Sequence, residues 1–413
     1  MAKHDVRTCA SLVAGDSRAA GKGRPFSSCC AVPATCSRLR SAGSAVQALR
    51  QTAVRSHTHR HSGSTGRSSR KRRAGEGVLS PRSIRAGNRE QAPVVLVVAP
   101  LSGHHATLLR DTVRTMLPDF DVYITDWLDA RHVPRASGTF HLNDYVTYVQ
   151  EFIDYLGSKV HVVAVCQSTV PVVGAVALSA AGHGCTPASV TLMGGPVDAR
   201  QSPTVVNRLA LSKPLDWFSR TLINTVPHPH AGAGRKVYPG FRQHMAFVSM
   251  NPDRHLKAHV DYYHDVSVGN SEGANKHRAF YDEYNAVLDM DAGYYLETVR
   301  VVFQDFALAR GTWTVNGERV SPEAIRDTAL ITVEGENDDI CGQGQTHAAH
   351  DLCTAVDPSR RYRLTVEECG HYGIFSGRRW RTHIYPQIRE LIQRFDGVPP
   401  AATESEIECT SRA

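Results

Sequence analysis

Short apolar runs rich in β-branched residues recur along the chain. Residues 94–99 (VVLVVA) are continuously apolar and end at Pro100, a pattern typical of a strand buried on both faces of a parallel sheet. Comparable runs predict strands at residues 122–125, 161–165, 189–193, 329–333 and 362–366. Helices are predicted at residues 106–117, 142–156, 170–181, 347–355 and 384–395. This alternation with short connections predicts an α/β fold with a doubly wound, mostly parallel sheet.

The alternation stops between residues 198 and 314. That segment has few apolar runs but many aromatic residues, which predicts a largely helical insertion that we call the cap. The expected organisation is one globular domain at residues 91–397 that contains the cap, followed by a flexible C-terminal tail at residues 398–413.

Residues 1–90 differ in composition from the rest of the chain. They carry 18 Lys and Arg against 4 Asp and Glu, hold a single aromatic residue and include the run RKRR at residues 70–73. Such a segment buries too little apolar surface to offset its ordering entropy, so a basic disordered tail is predicted. An organellar transit peptide, or a signal for the nucleus or for nucleic-acid contact, is an alternative interpretation.

The overall composition narrows the class of protein. Of 413 residues, 41% are hydrophobic and 21% are charged, as in an ordinary soluble protein. Residues 91–413 carry 29 basic against 36 acidic side chains, so the folded part gives no electrostatic reason to expect nucleic-acid binding. The ten cysteines show no CxxC spacing, and neither a secretory signal nor a membrane-spanning stretch is recognisable. A reduced intracellular compartment is expected, without a metal site, a disulfide framework or a membrane span.

Cys166 follows the predicted strand at residues 161–165 and precedes a predicted helix. A strand, a tight turn and a helix expose a nucleophile at the carboxyl edge of a sheet. The surrounding sequence AVCQS has small residues two positions before and after the cysteine, where Gly is usual, and Cys where Ser is usual. The alternative is a core cysteine, because free cysteines are commonly buried.

Two later loops offer the partners that a cysteine nucleophile requires. Asp338 follows the predicted strand at residues 329–333, and His371, flanked by glycines, follows the one at residues 362–366. In α/β-hydrolases the order along the chain is nucleophile, acid and histidine. The sequence therefore predicts a triad of Cys166, Asp338 and His371, with Asp339 as an alternative acid.

The oxyanion of a tetrahedral intermediate needs backbone N–H donors. Position along the chain assigns these to Gln167, directly after the nucleophile, and to Leu101 or Ser102 in the loop after the first predicted strand. This chemistry requires no metal and no redox cofactor.

Six segments resemble the intracellular polyhydroxyalkanoate (polyhydroxybutyrate) depolymerases of bacteria. They are residues 97–104 (VVAPLSGH), 123–127 (YITDW), 163–167 (VAVCQ), 193–200 (MGGPVDAR), 281–289 (YDEYNAVLD) and 370–380 (GHYGIFSGRRW). The resemblance implies an α/β-hydrolase fold, a triad at Cys166, Asp338 and His371, and cleavage of ester bonds of a storage polyester in cytoplasmic granules. It also implies that the cap holds the polymer chain.

The chain departs from that family at two places. Ser168 stands where the family has Pro, which leaves Ser168 and Thr169 as rival nucleophiles, although neither occupies the position at the strand end. The family's N-terminal segment is not recognisable in residues 1–90.

These expectations define a carboxylic ester hydrolase that forms an acyl-thioester on Cys166, which water or a thiol such as coenzyme A then releases. A polyester synthase or another acyltransferase with the same triad is one alternative. A non-catalytic granule protein that binds polyester is a second. A nucleic-acid binder that uses the basic tail is a third, which the acidic folded part disfavours.

Overall fold

The computed structural model describes residues 79–84 and 92–397. Its strands are β1 Leu79–Ile84, β2 Val94–Val98, β3 Asp121–Trp127, β4 His161–Val165, β5 Ser189–Met193, β6 Asn224–Thr225, β7 Lys236–Tyr238, β8 Met290–Asp291, β9 Thr314–Val315, β10 Glu318–Arg319, β11 Ala329–Gly335 and β12 Arg361–Val366. Its α-helices are α1 Arg110–Met116, α2 Leu142–Leu156, α3 Thr169–Leu178, α4 Val205–Ser212, α5 Leu215–Leu222, α6 Gly240–Met250, α7 Pro252–Ser267, α8 Ser271–Tyr284, α9 Ala292–Thr298, α10 Ala349–Leu352, α11 Gly377–Arg379 and α12 Tyr385–Asp396.

The main sheet has the strand order β1-β3-β2-β4-β5-β11-β12. β1 is antiparallel to β3, whereas the other neighbouring pairs are parallel. The predicted doubly wound, mostly parallel sheet is confirmed. β4 and β5 have the predicted bounds, and the other predicted strands differ by one or two residues at an end.

β1 lies inside the segment for which the composition predicts disorder. The structure corrects that prediction for Leu79–Ile84, which pairs with β3 along its whole length. Backbone hydrogen bonds to an existing sheet edge order a segment whose own composition would not, and Pro81 is tolerated because β1 is an edge strand. Residues 1–78 and 85–90 of the predicted tail, and the predicted tail at 398–413, lie outside the described residues.

Buried apolar side chains cover both faces of the sheet. β4 is buried at every position, as expected of a central parallel strand, and α3 is buried along its whole length. α2 is amphipathic, because its buried residues recur at intervals of three and four. These layers fix the carboxyl ends of the parallel strands at one edge of the sheet, where α/β proteins bind their ligands.

The cap is largely helical, as predicted, and contains α4 to α9 together with a small antiparallel sheet of β6, β7 and β8. Arg131 of the body pairs with Asp289 of the cap at 2.8 Å. Within the cap, buried Arg235 pairs with Asp291 at 2.7 Å and also donates hydrogen bonds to three backbone carbonyl groups of the body loop at residues 133–138. These contacts join the strands of the cap to the body.

Candidate active site

Cys166 lies at the turn between β4 and α3. Its φ angle of +58° is in the left-handed region, a strained conformation typical of a nucleophile between a strand and a helix. Its thiol is free and half-buried. Ser168 and Thr169 are fully buried instead, and the Ser168 hydroxyl hydrogen-bonds to the backbone carbonyls of Val98 and Val165. This geometry favours Cys166 over both rivals.

His371 and Asp338 form a hydrogen-bonded pair in the loops after β12 and β11. His371 Nδ1 lies 2.7 Å from Asp338 Oδ2, and both side chains are almost fully buried. The other carboxylate oxygen, Oδ1, accepts hydrogen bonds from the backbone N–H groups of Ile340 and Cys341 at 2.9 and 2.8 Å. The carboxylate is therefore fixed through both oxygens and holds a proton on Nδ1, which leaves Nε2 for proton exchange.

The environment of His371 makes it a strong base. Burial lowers its pKa, but the Asp338 carboxylate and the nearby Cys166 more than offset this effect. The pKa of His371 consequently lies well above its usual value of 6.5. Such an imidazole can take the proton of the thiol and hold it for a leaving group.

Asp339, the alternative acid, faces the cap. Its carboxylate accepts hydrogen bonds from Asn251 Nδ2 at 3.1 Å and from Arg254 Nη1 at 3.3 Å, both at the start of α7. The structure therefore brings Asp338 to His371 and gives Asp339 a contact with the cap.

Gly194, directly after β5, lies against the His371–Asp338 pair, where a larger residue would not fit. Its φ angle is +57°, and a Cβ there would lie 2.5 Å from Ile374 Cδ1, 3.3 Å from His371 Cε1 and 3.4 Å from Asp338 Oδ2. A glycine is required both by the left-handed backbone and by this close approach.

The three side chains leave the same edge of one parallel sheet. Cys166 follows β4, Asp338 follows β11 and His371 follows β12. A strained nucleophile turn, with acid and histidine in loops after later strands, is the arrangement of an α/β-hydrolase. The predicted fold class is therefore confirmed.

A cavity of about 200 Å³ adjoins Cys166 and His371. Most of its lining comes from apolar and aromatic side chains of the cap: Val205, Val206, Leu209, Ala210, Trp217, Phe218, Leu222, Tyr238, Ala246, Phe247, Met250, Met290, Tyr294, Tyr295, Val299 and Phe303. Among the described residues, the lining includes no Lys, Arg, Asp or Glu. Such a cavity suits an uncharged, largely apolar ligand.

Two of the three residues predicted to supply oxyanion donors line the same cavity as Cys166, namely Gln167 and Ser102. Gln167 is in the first turn of a helix, where backbone N–H groups have no intrahelical partner. Within residues 92–397, the backbone N–H groups of Leu101 and Ser102 donate to no other protein group. Leu101 and Ser102 both stay candidates for the second donor.

Three further side chains around the site were not singled out by the sequence analysis. His104 and Gln243 line the cavity and are buried. Glu334, buried at the end of β11, accepts three backbone hydrogen bonds from the loop at residues 344–347 and so fixes the chain beyond Asp338. A charged residue at the end of a buried strand was the available signal for Glu334. His104 and Gln243 are far apart in sequence and are brought to one cavity only by the fold.

The residues that the structure describes include neither a membrane-spanning helix nor a cluster of metal ligands. None of the helices there is both long and apolar enough to cross a bilayer. In the same residues, no three His, Cys, Asp or Glu side chains are grouped as a metal site requires.

Comparison with known proteins connects this geometry to a family. Residues 194–396 match the family model described as the C-terminus of PHB de-polymerase. The match covers 203 of the 413 residues. It contains the cap, Asp338 and His371, whereas Cys166 precedes it. The resemblance to polyhydroxybutyrate depolymerases is thereby confirmed for these residues, and it supports ester hydrolysis as the reaction class.

Several solved structures are similar at low sequence identity. A monoacylglycerol lipase of Paleococcus ferrophilus is 13% identical, with a TM-score of 0.45 over 77% of this chain and 99% of that one. A thermophilic esterase of Thermogutta terrifontis is 12% identical, with a TM-score of 0.43 over 77% and 94%. A meta-cleavage product hydrolase of Pseudomonas fluorescens IP01 is 12% identical, with a TM-score of 0.41 over 78% and 95%. Among curated proteins no match was found.

Proposed function

We propose that the protein hydrolyses the ester bonds of a polyhydroxyalkanoate storage polyester, poly(3-hydroxybutyrate), with Cys166 as the nucleophile. The observation that carries this proposal is the position of His371, which is 2.7 Å from the Asp338 carboxylate and lines the same cavity as the strained Cys166. The apolar cavity beside them suits a polyester chain, and the match to PHB depolymerases supports a polyester substrate.

In the first half of the reaction, His371 takes the proton of the Cys166 thiol. The thiolate attacks the ester carbonyl carbon, and the oxyanion that forms is held by the backbone N–H of Gln167 and by that of Leu101 or Ser102. The carbon–oxygen bond to the leaving group then breaks, and His371 returns its proton to the departing alkoxide. The products of this half are an alcohol and an acyl-thioester on Cys166.

In the second half, water attacks the thioester carbon while His371 accepts a proton from it. The carbon–sulfur bond breaks, the carboxylic acid leaves, and His371 returns its proton to the Cys166 sulfur. Asp338 keeps the imidazole in the required tautomer through both halves. Water is the acceptor that we propose, because coenzyme A carries phosphate groups and the described cavity lining offers no Lys or Arg to bind them.

We place the protein at the surface of cytoplasmic polyester granules. A solid substrate has to be reached at its surface, and α7 of the cap exposes four apolar side chains at intervals of four, three and three residues. These residues, the apolar face of α7, are Leu256, Val260, Tyr263 and Val266, which are 65%, 59%, 77% and 52% exposed. Exposed apolar surface of this kind supports contact with an apolar phase.

The test is release of soluble 3-hydroxybutyrate from amorphous poly(3-hydroxybutyrate) granules by the purified protein. Wild type should release it, and Cys166→Ala should lose at least about a thousandfold in rate, because the nucleophile is gone. Ser168→Ala removes the rival hydroxyl and should stay active. Cys369→Ala, which removes a buried thiol two residues before His371, controls for general effects of losing a cysteine.

Two results would replace the proposal with a named alternative. Granule binding without release, unaffected by Cys166→Ala, would indicate a non-catalytic granule protein. Chain growth from a 3-hydroxyacyl thioester, with no chain shortening, would indicate a polyester synthase or a related acyltransferase.

A further inference from the structure

His104 lies in the wall of the cavity and has no part in the proposed triad. It follows Gly103 in the loop after β2, the loop that also supplies Leu101 and Ser102. Its side chain is 3% exposed, and its ring stacks on Phe247 of the cap with 4.9 Å between centroids. A buried imidazole beside a reaction centre needs a physical account of its hydrogen bonds.

The partner of Nε2 determines the tautomer of His104. Nε2 lies 3.1 Å from the backbone carbonyl oxygen of Tyr284, which can only accept, so Nε2 carries the hydrogen. Burial lowers the pKa of His104 to about 4, so the ring is neutral at neutral pH. Nδ1 is then a bare acceptor. Among the described residues, no group hydrogen-bonds to it.

Gln243 of α6 gives the same loop a second acceptor. Its Nε2 donates to the backbone carbonyls of Tyr238 at 2.8 Å and Leu288 at 3.1 Å. Its Oε1 has no partner among the described residues and packs against Gly103, where any Cβ would clash with it. Both side chains thus donate to backbone carbonyls and retain unpaired acceptors. Gln243 Oε1 is sealed against Gly103, so His104 Nδ1 is the acceptor left for a ligand, and a ligand that uses it has to bring a hydrogen-bond donor.

We propose that His104 Nδ1 accepts a hydrogen bond from the free 3-hydroxyl group at the end of a polyester chain, so that the enzyme removes units from the hydroxyl end. This inference rests on the proposed function. In the terminal unit the hydroxyl group is on the third carbon of the acyl group. That carbon is two bonds from the carbonyl carbon that Cys166 would attack. The acceptor therefore has to lie near the oxyanion donors, and His104 follows Ser102 by two residues.

The same acceptor would discriminate terminal units from internal ones. In an internal unit the oxygen on the third carbon belongs to the next ester and carries no hydrogen. It cannot donate to Nδ1, and binding would leave the buried acceptor unpaired. An acceptor at this position consequently selects the hydroxyl end of the chain.

The test compares two soluble substrates, the linear dimer of 3-hydroxybutyrate and the same dimer with hydrogen in place of the terminal hydroxyl group. Wild type should hydrolyse the hydroxyl-ended dimer with a kcat/KM about 5 to 150 times higher, the range expected for leaving one buried acceptor unpaired. In His104→Phe, which keeps a ring against Phe247 but has no acceptor, this ratio should fall to near 1. His244→Phe is the matched control, because His244 Nε2 pairs with Asn285 Oδ1 instead.

A measurement on wild type alone covers the case in which His104→Phe does not fold. Hydroxyl-ended oligomers should release monomer from the start, with the remaining chains shortening gradually, and oligomers without the terminal hydroxyl should be degraded at least about 5 times more slowly. Equal kcat/KM for both dimers, an unchanged ratio in a folded His104→Phe variant, or random internal cleavage of the oligomers would each overturn the proposal. Hydrolysis of neither dimer, together with no release from granules, would instead refute the proposed function.

Discussion

His371 Nδ1 lies 2.7 Å from Asp338 Oδ2, whereas the neighbouring Asp339 binds Asn251 and Arg254 of the cap. Two adjacent carboxylates thus have different partners. Asp338→Asn should lower kcat by about three to four orders of magnitude, because the amide no longer holds the imidazole in the reactive tautomer. Asp339→Asn removes the charge of the adjacent residue. It should change kcat by less than about tenfold, because only the partly exposed ion pair with Arg254 is lost.

The comparison is made with a soluble 3-hydroxybutyrate ester, so that granule binding does not enter the measurement. Equal losses in the two variants would contradict the assignment of Asp338 as the orienting acid. A larger loss in Asp339→Asn would transfer that role to Asp339.

The raised pKa of His371 predicts where activity is lost in alkali. A pKa above 6.5 means that the imidazolium persists as the pH rises through neutrality and can still protonate the leaving alkoxide. The alkaline limb of kcat/KM should therefore lie well above pH 6.5. In Asp338→Asn the carboxylate that raises this pKa is gone, and the limb of the residual activity should move to lower pH. A limb that stays in place would show that another group titrates there.

Much of the sheet could be predicted because its strands are ordered by their own side chains. β4 is apolar at four of its five positions and β5 at three of five, and the pattern alone gives their bounds. β1 could not be predicted in the same way. Its order comes from backbone hydrogen bonds to β3, and these depend on the partner strand and not on the composition of residues 79–84.

Some features of the site could likewise be predicted from the sequence, and others depend on contacts that form only in the folded protein. The loops that carry Cys166, Asp338 and His371 follow from strand order, because parallel strands end at one edge of the sheet. The choice between Asp338 and Asp339 depends on which side chain the loop turns inward, and the backbone N–H groups of Ile340 and Cys341 determine this. The orientation of His104 depends on a carbonyl group of the cap, 180 residues away in sequence, which local patterns cannot reveal.

Gly194→Ala should impair catalysis without removing any reacting group. The new Cβ would lie 2.5 Å from Ile374 Cδ1 and 3.3 Å from His371 Cε1, so the histidine loop has to shift. Displacement of a catalytic group by about 1 Å can cost about a hundredfold in rate, and the effect should fall on kcat more than on KM. Gly157→Ala is the matched control. Gly157 has φ +84° but open space around its Cβ position, so this variant should lose stability and keep its kcat.

The neutral, buried state of His104 predicts a pH-dependent contribution to stability. Its pKa is lowered to about 4 in the folded protein, against 6.5 in the unfolded chain, so the unfolded chain takes up the proton first as the pH falls. The contribution is present above pH 6.5, is lost progressively between pH 6.5 and about 4, and amounts to about 3 kcal/mol. The measurement is urea unfolding of wild type and His104→Phe between pH 7 and pH 4. As the pH falls, the free energy of unfolding of wild type should decrease by about this amount more than that of His104→Phe. Equal decreases in the two proteins would contradict a neutral His104.

Charged substitutions on the apolar face of α7 should separate granule binding from catalysis. Leu256 and Tyr263 are 65% and 77% exposed, so Leu256→Asp and Tyr263→Asp need not disturb the core. Each would place a charge against an apolar phase, and together they should weaken sedimentation with granules by at least about tenfold while hydrolysis of a soluble ester is retained. Tyr155→Asp is the matched control, because Tyr155 is equally exposed, at 76%, but lies on α2 outside the cap. Equal binding of all three variants and wild type would show that the granule contact lies elsewhere, and a parallel loss in Tyr155→Asp would indicate a general effect of added negative charge.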